Sequence, residues 1–505
     1  MSEQIREQLA RRTASGAGLL VITRLITRGI DLVALAFLAR LLTPADFGLV
    51  AIAMTLVLIC EAISDLPIAQ AVVRLPIINQ GCLDTAFTVS AIRGMGIATL
   101  LCLSAWPFAI VYRDPRLIGL LCALSLAPAF RGVCNPRFAI FARNLDFRRE
   151  MLVEVFAKLA ALLVSVGIAR TTHSYWAIAA GTIIGPVTMN VVAYLMAPWR
   201  PRFTLQQWPV FRNFLSWASA GQMLNAVSWQ VDQLALGRFV VPGELGLFTI
   251  ASTLAFLPFQ VVINQIARPI IAGFALLQTD PHRLAAAYRL GSATLVTLCL
   301  PVMVGMSVLA HPIAALTLGP KWDMAANVLQ WLALATVPAL FVATVGPLAM
   351  AVDRTDLGFR LSFAEFVVRL PLTCIAAAAA GIEGVLAARA AATLAMTIYA
   401  LALVRVMLGL SISSQILSCW RPIISSIVMG LAIRQLWATT THGSLPLQLA
   451  IELLGAMLVG ALAYGLATLS LWHVSGRPTG PEARALQFVA LIRSSIAAAG
   501  RRRAW

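Results

Sequence analysis

The chain has 505 residues, 60% of them hydrophobic and only 12% charged, with a mean hydropathy of +0.86. Ordinary soluble domains carry about 45–50% apolar and about 25% charged residues, so a water-soluble globular fold is excluded. Nor does the net charge of +17 point to a nucleic-acid partner, because no basic region is interleaved with aromatic residues; membrane topology accounts for it.

In chain order, the leader "MSEQIREQLARRTA" sets Ile5 and Leu9 on one face among polar residues, which predicts a cytoplasmic amphipathic helix over 1–16. From Gly16 the apolar pattern outruns a removable signal, so the first span is read as an anchor. Fourteen apolar segments follow, near 17–39, 47–73, 83–111, 117–138, 149–169, 175–197, 211–236, 246–276, 285–310, 325–350, 358–380, 384–408, 420–437 and 447–472. Each approaches or exceeds the roughly 20 residues that a membrane-crossing helix needs. Prolines 67, 128, 186, 258, 301, 338 and 371 lie inside these segments and predict bent or broken helices. The eight cysteines stand singly in apolar surroundings and are read as packing residues, with no metal site.

Short cytoplasmic loops collect Lys and Arg. With the N-terminus inside, 23 of the 38 basic residues fall on the cytoplasmic side and eight within spans. Only seven (Arg40, Arg113, Arg116, Arg170, Arg238, Lys321 and Arg434) fall outside. An even number of spans then puts both termini in the cytoplasm.

Residues 40–56 and 238–254 share eight identities in seventeen positions at a constant offset of 198, including Arg40/Arg238, Pro44/Pro242 and Gly48/Gly246, with Asp46 opposite Glu244. Each phrase falls in the loop after the first span of a six-span block, so the two blocks share one orientation, as in transporters built from parallel repeats. Pro and Gly suit a tight reversal, and the acid suits the positive N-terminal end of the next helix. The expected organisation is an N-terminal lobe over 17–200, a C-terminal lobe over 201–410, two extra spans over 411–475 and a basic tail over 476–505.

Charge inside a span costs roughly 2.5–3.5 kcal/mol on insertion scales and marks a bundle interior or a watery cavity. Arg24, Arg28 and Asp31 form one helical stripe; Glu61 with Asp65, and Glu154 with Lys158, are each four apart. Arg93 and Arg131 stand without a local partner, and the second block carries Asp232, Arg268, Glu365, Arg369 and Arg389. Neutralisation within one helix is the expectation for Glu154 with Lys158 and for Glu365 with Arg369. Arg24, Arg28, Arg93, Arg131 and Arg268 are the candidate anion-binding set, since guanidinium groups grip phosphates through paired hydrogen bonds. Asp31, Glu61, Asp65 and Asp232 are the candidate ion-coupling carboxylates, with H+ or Na+ as the coupling ion and no other cofactor.

The run "TRLITRGIDLVALAFLARLLTPADFGLVAIAMTLVLICEAISDLPIAQAVV", above all "ARLLTPADFGL" and "SDLPIAQAVV", resembles the N-terminal signature of Wzx-type oligosaccharide flippases, the polysaccharide transporter family. Similarity in pattern continues through "WQVDQLALGRFVVPGELGLFTIA" and covers about four-fifths of the chain. Relatives often have Gly after "SDL", where this chain has Pro67. The resemblance implies an all-α membrane protein of about 14 transmembrane helices: two six-helix lobes around a central cavity, plus two extra C-terminal helices. It also implies movement of undecaprenyl-diphosphate-linked oligosaccharides across the bacterial inner membrane, in concert with polysaccharide assembly machinery. Relatives handling peptidoglycan precursor use first-lobe arginines, which Arg24 and Arg28 match by position.

Two other classes compete with this reading. A cation or drug antiporter on the same fold would favour an acidic, aromatic pocket, against the first-lobe arginines. A membrane polymerase or ligase would place a nucleophile and base on a long external loop, and none is evident.

Overall fold

The computed structural model describes residues 3–63, 79–143, 146–208, 227–439, 446–478, 480–484 and 487. All regular elements among them are helical, and the chain divides into two compact units, 1–249 and 250–505.

The first unit opens with α1 (Glu3–Leu41), in which the predicted leader and first span form one unbroken helix. Thr43 caps α2 (Pro44–Ile63): its hydroxyl accepts from Asp46 N–H, while the Asp46 carboxylate accepts from Thr43 N–H at 3.0 Å. This reciprocal box satisfies two otherwise orphaned donors and explains the acid in the repeated phrase. Asn79 caps α3 (Gln80–Tyr112) by accepting from Cys82 N–H at 2.8 Å. The fourth predicted span is made of short pieces, α4 (Arg116–Leu124) and α5 (Leu126–Gly132), followed by α6 (Phe138–Arg143). Pro128 explains the interruption, because it has no N–H for the Leu124 carbonyl. α7 (Phe147–Thr172) and α8 (Trp176–Met196) form an antiparallel pair, and α1 packs on α7. Their approach is close at Gly181, where an added Cβ would lie 1.9 Å from Ser165 Oγ.

The second unit contains most of α9 (Pro242–Ala275), then α10 (Pro281–Val308), α11 (Ala310–Thr317) and α12 (Asp323–Ala335). α13 (Ala339–Val342) and α14 (Val345–Ala351) follow a 44° bend beside Pro338. α15 (Thr355–Leu408) holds two predicted spans, with non-helical Ala380 and Gly381 between them. Gly381 takes φ 56°, a conformation open to glycine at little cost. Pro301 and Pro371, by contrast, sit in helices that continue through them. The chain closes with α16 (Ile412–Leu417), α17 (Trp420–Thr439) and α18 (Pro446–Val474).

Eight helices among the described residues are long and apolar enough to cross a bilayer, or nine if the bent pair is one span. Large apolar side chains such as Leu103, Leu195 and Ile375 remain exposed along them. In lipid such faces need no cover, and helices associate through close packing at small residues. The inner faces are built accordingly, with alanines such as Ala39, Ala53, Ala251 and Ala400 fully buried.

Candidate functional site

Most of the predicted intramembrane charges meet across helices in the first unit. Between α1 and α7, Lys158 Nζ donates to Asp31 Oδ1 at 2.6 Å, and Arg28 approaches the same carboxylate at 3.8 Å. Arg24 lies within electrostatic reach of both Glu150 and Glu154. The two helices run parallel, so their stripes interlock: three cations (Arg24, Arg28, Lys158) face three carboxylates (Asp31, Glu150, Glu154). Lys158 therefore hydrogen-bonds Asp31 on another helix while staying within electrostatic reach of Glu154 one turn away.

Glu150 was not among the candidates. Its membership was legible, since 150, 154 and 158 continue one i, i+4 stripe within the predicted span 149–169.

A second cluster joins α2, α3 and α5. The Arg131 guanidinium bonds both carboxylate oxygens of Glu61, and Arg93 Nη2 donates to the Glu61 backbone carbonyl at 3.0 Å. What brings them together is glycine. An added Cβ on Gly94 would lie 2.7 Å from Gly132 Cα, and one on Gly132 would lie 2.7 Å from the Ser90 carbonyl. Each arginine directly precedes one of these glycines, so the close crossing of α3 and α5 fixes both guanidinium groups on one acid. Arg93 and Arg131, solitary in the sequence, thus share a partner 32 and 70 residues away.

Below this cluster, residues 200–208 cross the start of α3. Backbone N–H groups of Arg202, Thr204 and Gln207 donate to Asp84 Oδ1, Thr88 Oγ1 and Thr85 Oγ1 at 3.3, 3.0 and 3.3 Å. Trp199 and Phe203 both pack on the Phe87 ring with centroids 5.6 Å apart. Leu205 and Trp208 then flank an open apolar pocket of about 490 Å³, to whose lining Arg93 brings a charge.

Asp232 is buried in the helical stretch 227–239, beside Gln233, whose side chain accepts from the Thr55 hydroxyl at 2.8 Å. In the second unit Glu365 and Arg369 pair within α15 at 3.3 Å as expected, and the Arg389 guanidinium lies over the Phe256 ring at 4.4 Å. Asp65 and Pro67 lie outside the described residues, as does the side chain of Arg268.

Long apolar helices enclosing paired charges define a multi-pass helical membrane protein with a transporter fold. Among solved structures, the lipid II flippase MurJ in an inward closed conformation superposes with a TM-score of 0.72 at 14% identity, covering 90% of this chain and 99% of that one. An inward-facing multidrug resistance MATE family transporter of the MOP superfamily gives 0.60 at 15% identity, with 78% and 98% covered. The family model described as "Polysaccharide biosynthesis protein" matches residues 37–327, and the chain belongs to that family. The lipopolysaccharide biosynthesis protein WzxC of Escherichia coli (strain K12) is 25% identical over 423 residues, 82% of this chain and 85% of its own length. The succinoglycan biosynthesis transport protein ExoT of Rhizobium meliloti (strain 1021) is 23% identical over 327 residues, 64% of this chain and 66% of its own.

Proposed function

We propose that this protein is a flippase that carries undecaprenyl-diphosphate-linked oligosaccharide repeat units from the cytoplasmic to the periplasmic leaflet of a bacterial inner membrane. The product would feed exopolysaccharide, capsule or O-antigen assembly and its machinery. Family membership, relatives named for polysaccharide biosynthesis and transport, and a fold shared with a lipid II flippase support this reading. Both termini are cytoplasmic in this proposal, and the protein acts as a transporter rather than an enzyme.

The observation that carries the mechanism is the interlocked charge set between α1 and α7. Arg24 and Arg28 have carboxylates for neighbours, and a diphosphate is a better bidentate partner for guanidinium than a single carboxylate. Substrate entry exchanges one set of counterions for another, so the arginines are never left bare in a low-dielectric site. Arg93, Arg131 and Arg268 are the further proposed anion-binding residues, and Asp31, Glu61, Asp65 and Asp232 the proposed carboxylates for the coupling H+ or Na+. Outward movement of an anion from a cell negative inside is favoured by roughly 2.3 kcal/mol per charge per 100 mV. Alternating access of the lobes 17–200 and 201–410 completes the cycle, while 411–475 lies outside it.

The test is deletion of the gene, followed by assay of secreted polysaccharide and of the leaflet that holds the lipid-linked repeat units. Loss of polymer with intermediates held on the cytoplasmic leaflet, unrescued by Arg24→Ala or Arg28→Ala, is the expected result. Normal arrival of intermediates at the periplasmic leaflet would end the proposal.

A further inference from the structure

The two C-terminal helices enclose a polar niche that the flippase reading does not use. α17 and α18 pack antiparallel, crossing near Gly460, where an added Cβ would lie 2.6 Å from Ile433 Cδ1 and 3.5 Å from Met429 Cγ. One to two turns from that crossing, toward the start of α17, stand Ser425 and Arg421; the same step along α18 reaches Tyr464 and Thr468. After α18 the chain reverses. Gly476 and Arg477 both take left-handed φ (80° and 55°), and Trp472 Nε1 donates to the Pro478 carbonyl at 3.0 Å. This reversal returns Glu482 to the start of α17, with Oε1 3.2 Å from Arg421 Nη1. Both side chains are enclosed, 3% and 10% exposed, and Tyr464 lies within electrostatic reach of Glu482.

The niche holds more hydrogen-bonding capacity than the tail uses. The Ser425 and Ser426 hydroxyls are buried without hydrogen-bond partners, as is Glu482 Oε2. Many helical hydroxyls in this chain satisfy themselves on the carbonyl four residues back, as Thr55, Ser165 and Thr297 do. The Ser425 hydroxyl forgoes that bond one turn after Arg421 on the same helical stripe, so guanidinium and hydroxyl together offer donors to an acceptor-rich guest. Arg421 lies in the first turn of a 20-residue span, the depth at which lipid phosphates sit.

We propose that this niche binds the phosphate of an anionic membrane lipid, and that the Glu482 carboxylate is a self-inhibitory surrogate occupying it in the tail-docked state. A phosphate presents more acceptor oxygens than a carboxylate and engages the guanidinium and the serine hydroxyls together. Lipid binding then expels the tail. The proposal does not rest on the flippase reading.

The experiment uses the full chain in nanodiscs of phosphatidylcholine, alone or mixed with phosphatidylglycerol, and follows tryptic cleavage after Arg484, which is exposed. Phosphatidylglycerol should accelerate cleavage roughly tenfold, within the usual range of coupling between competing ligands, and inorganic phosphate should not. Glu482→Gln should be cleaved at the fast rate in both lipids and retain more phosphatidylglycerol by native mass spectrometry. The Ser425→Ala/Ser426→Ala variant should keep the tail docked in phosphatidylcholine yet lose the phosphatidylglycerol response. Removing orphaned hydroxyls does not endanger folding, and this variant separates the niche from general attraction of a basic tail to an anionic surface. Equal cleavage in the two lipids, or a full lipid response in the double variant, would reduce Arg421 and Glu482 to a structural ion pair. Release by inorganic phosphate equal to that by lipid would overturn the lipid assignment.

Discussion

Gly48 and Gly246 lie back to back at the starts of α2 and α9, each against the other's helix: a Cβ on Gly48 would lie 1.7 Å from the Pro242 carbonyl oxygen, and one on Gly246 would lie 1.8 Å from that of Pro44. The phrase written twice in the sequence therefore meets its own copy. The contact is reciprocal: each proline carbonyl fills the space above the opposite glycine. Gly48→Ala or Gly246→Ala should each lower stability by about 1–3 kcal/mol through overpacking. The double variant should cost less than the sum, since the first methyl already separates the helices. Thermal unfolding of the purified protein measures both; additive losses would contradict a shared contact.

Asp31 and Lys158 make the bridge that sets the register of α1 on α7. Both side chains are partly exposed, so Lys158→Met should change stability by under about 1 kcal/mol. Its effect on transport should be much larger, because Asp31 is then left to Arg28, drawing that arginine from the path. The exchange Asp31→Lys with Lys158→Asp should recover transport above either single change. Repeat-unit flipping in the deletion strain provides the comparison.

In the α2, α3 and α5 cluster, Glu61→Gln should free Arg131 but leave Arg93 in place, since Arg93 bonds the backbone carbonyl. Gly132→Ala should displace both arginines at once by forcing α5 from α3, at about 1–3 kcal/mol. If Glu61→Gln and Gly132→Ala impair transport equally, the glycine contact does not position Arg93.

Outside the spans, Arg116 beside Asp114 holds the Asp114 carboxyl below the usual carboxylate range through a side-chain hydrogen bond. A carboxyl lowered on folding contributes stability that is present above its unfolded value, about 4, and lost as pH falls through the folded value. Asp114→Asn should therefore flatten the decline of unfolding temperature below about pH 4, with little change at pH 7 beyond loss of the pair. An unchanged acid limb would show that other carboxylates dominate it.

Much of this was legible residue by residue. Composition required a membrane protein, because no soluble core can hide so much apolar surface. The i, i+3 and i+4 spacing put Arg24, Arg28 and Asp31 on one stripe of α1 whatever the helix packs against. The gap between spans 358–380 and 384–408 anticipated the break at Ala380 and Gly381, since a glycine there admits a backbone that other residues resist.

Partnership was decided elsewhere. Spacing along a chain describes neighbours on one helix, whereas a charge between helices takes whichever opposite charge another helix brings to its height. So Lys158 bonds Asp31 as well as facing Glu154, Arg93 and Arg131 converge on Glu61 through two glycines, and Glu482 in a basic tail returns to Arg421. The repeated phrase announced a duplication, but only the fold brought its two glycines together, because contact between segments 198 residues apart depends on how helices cross and not on the pattern within either.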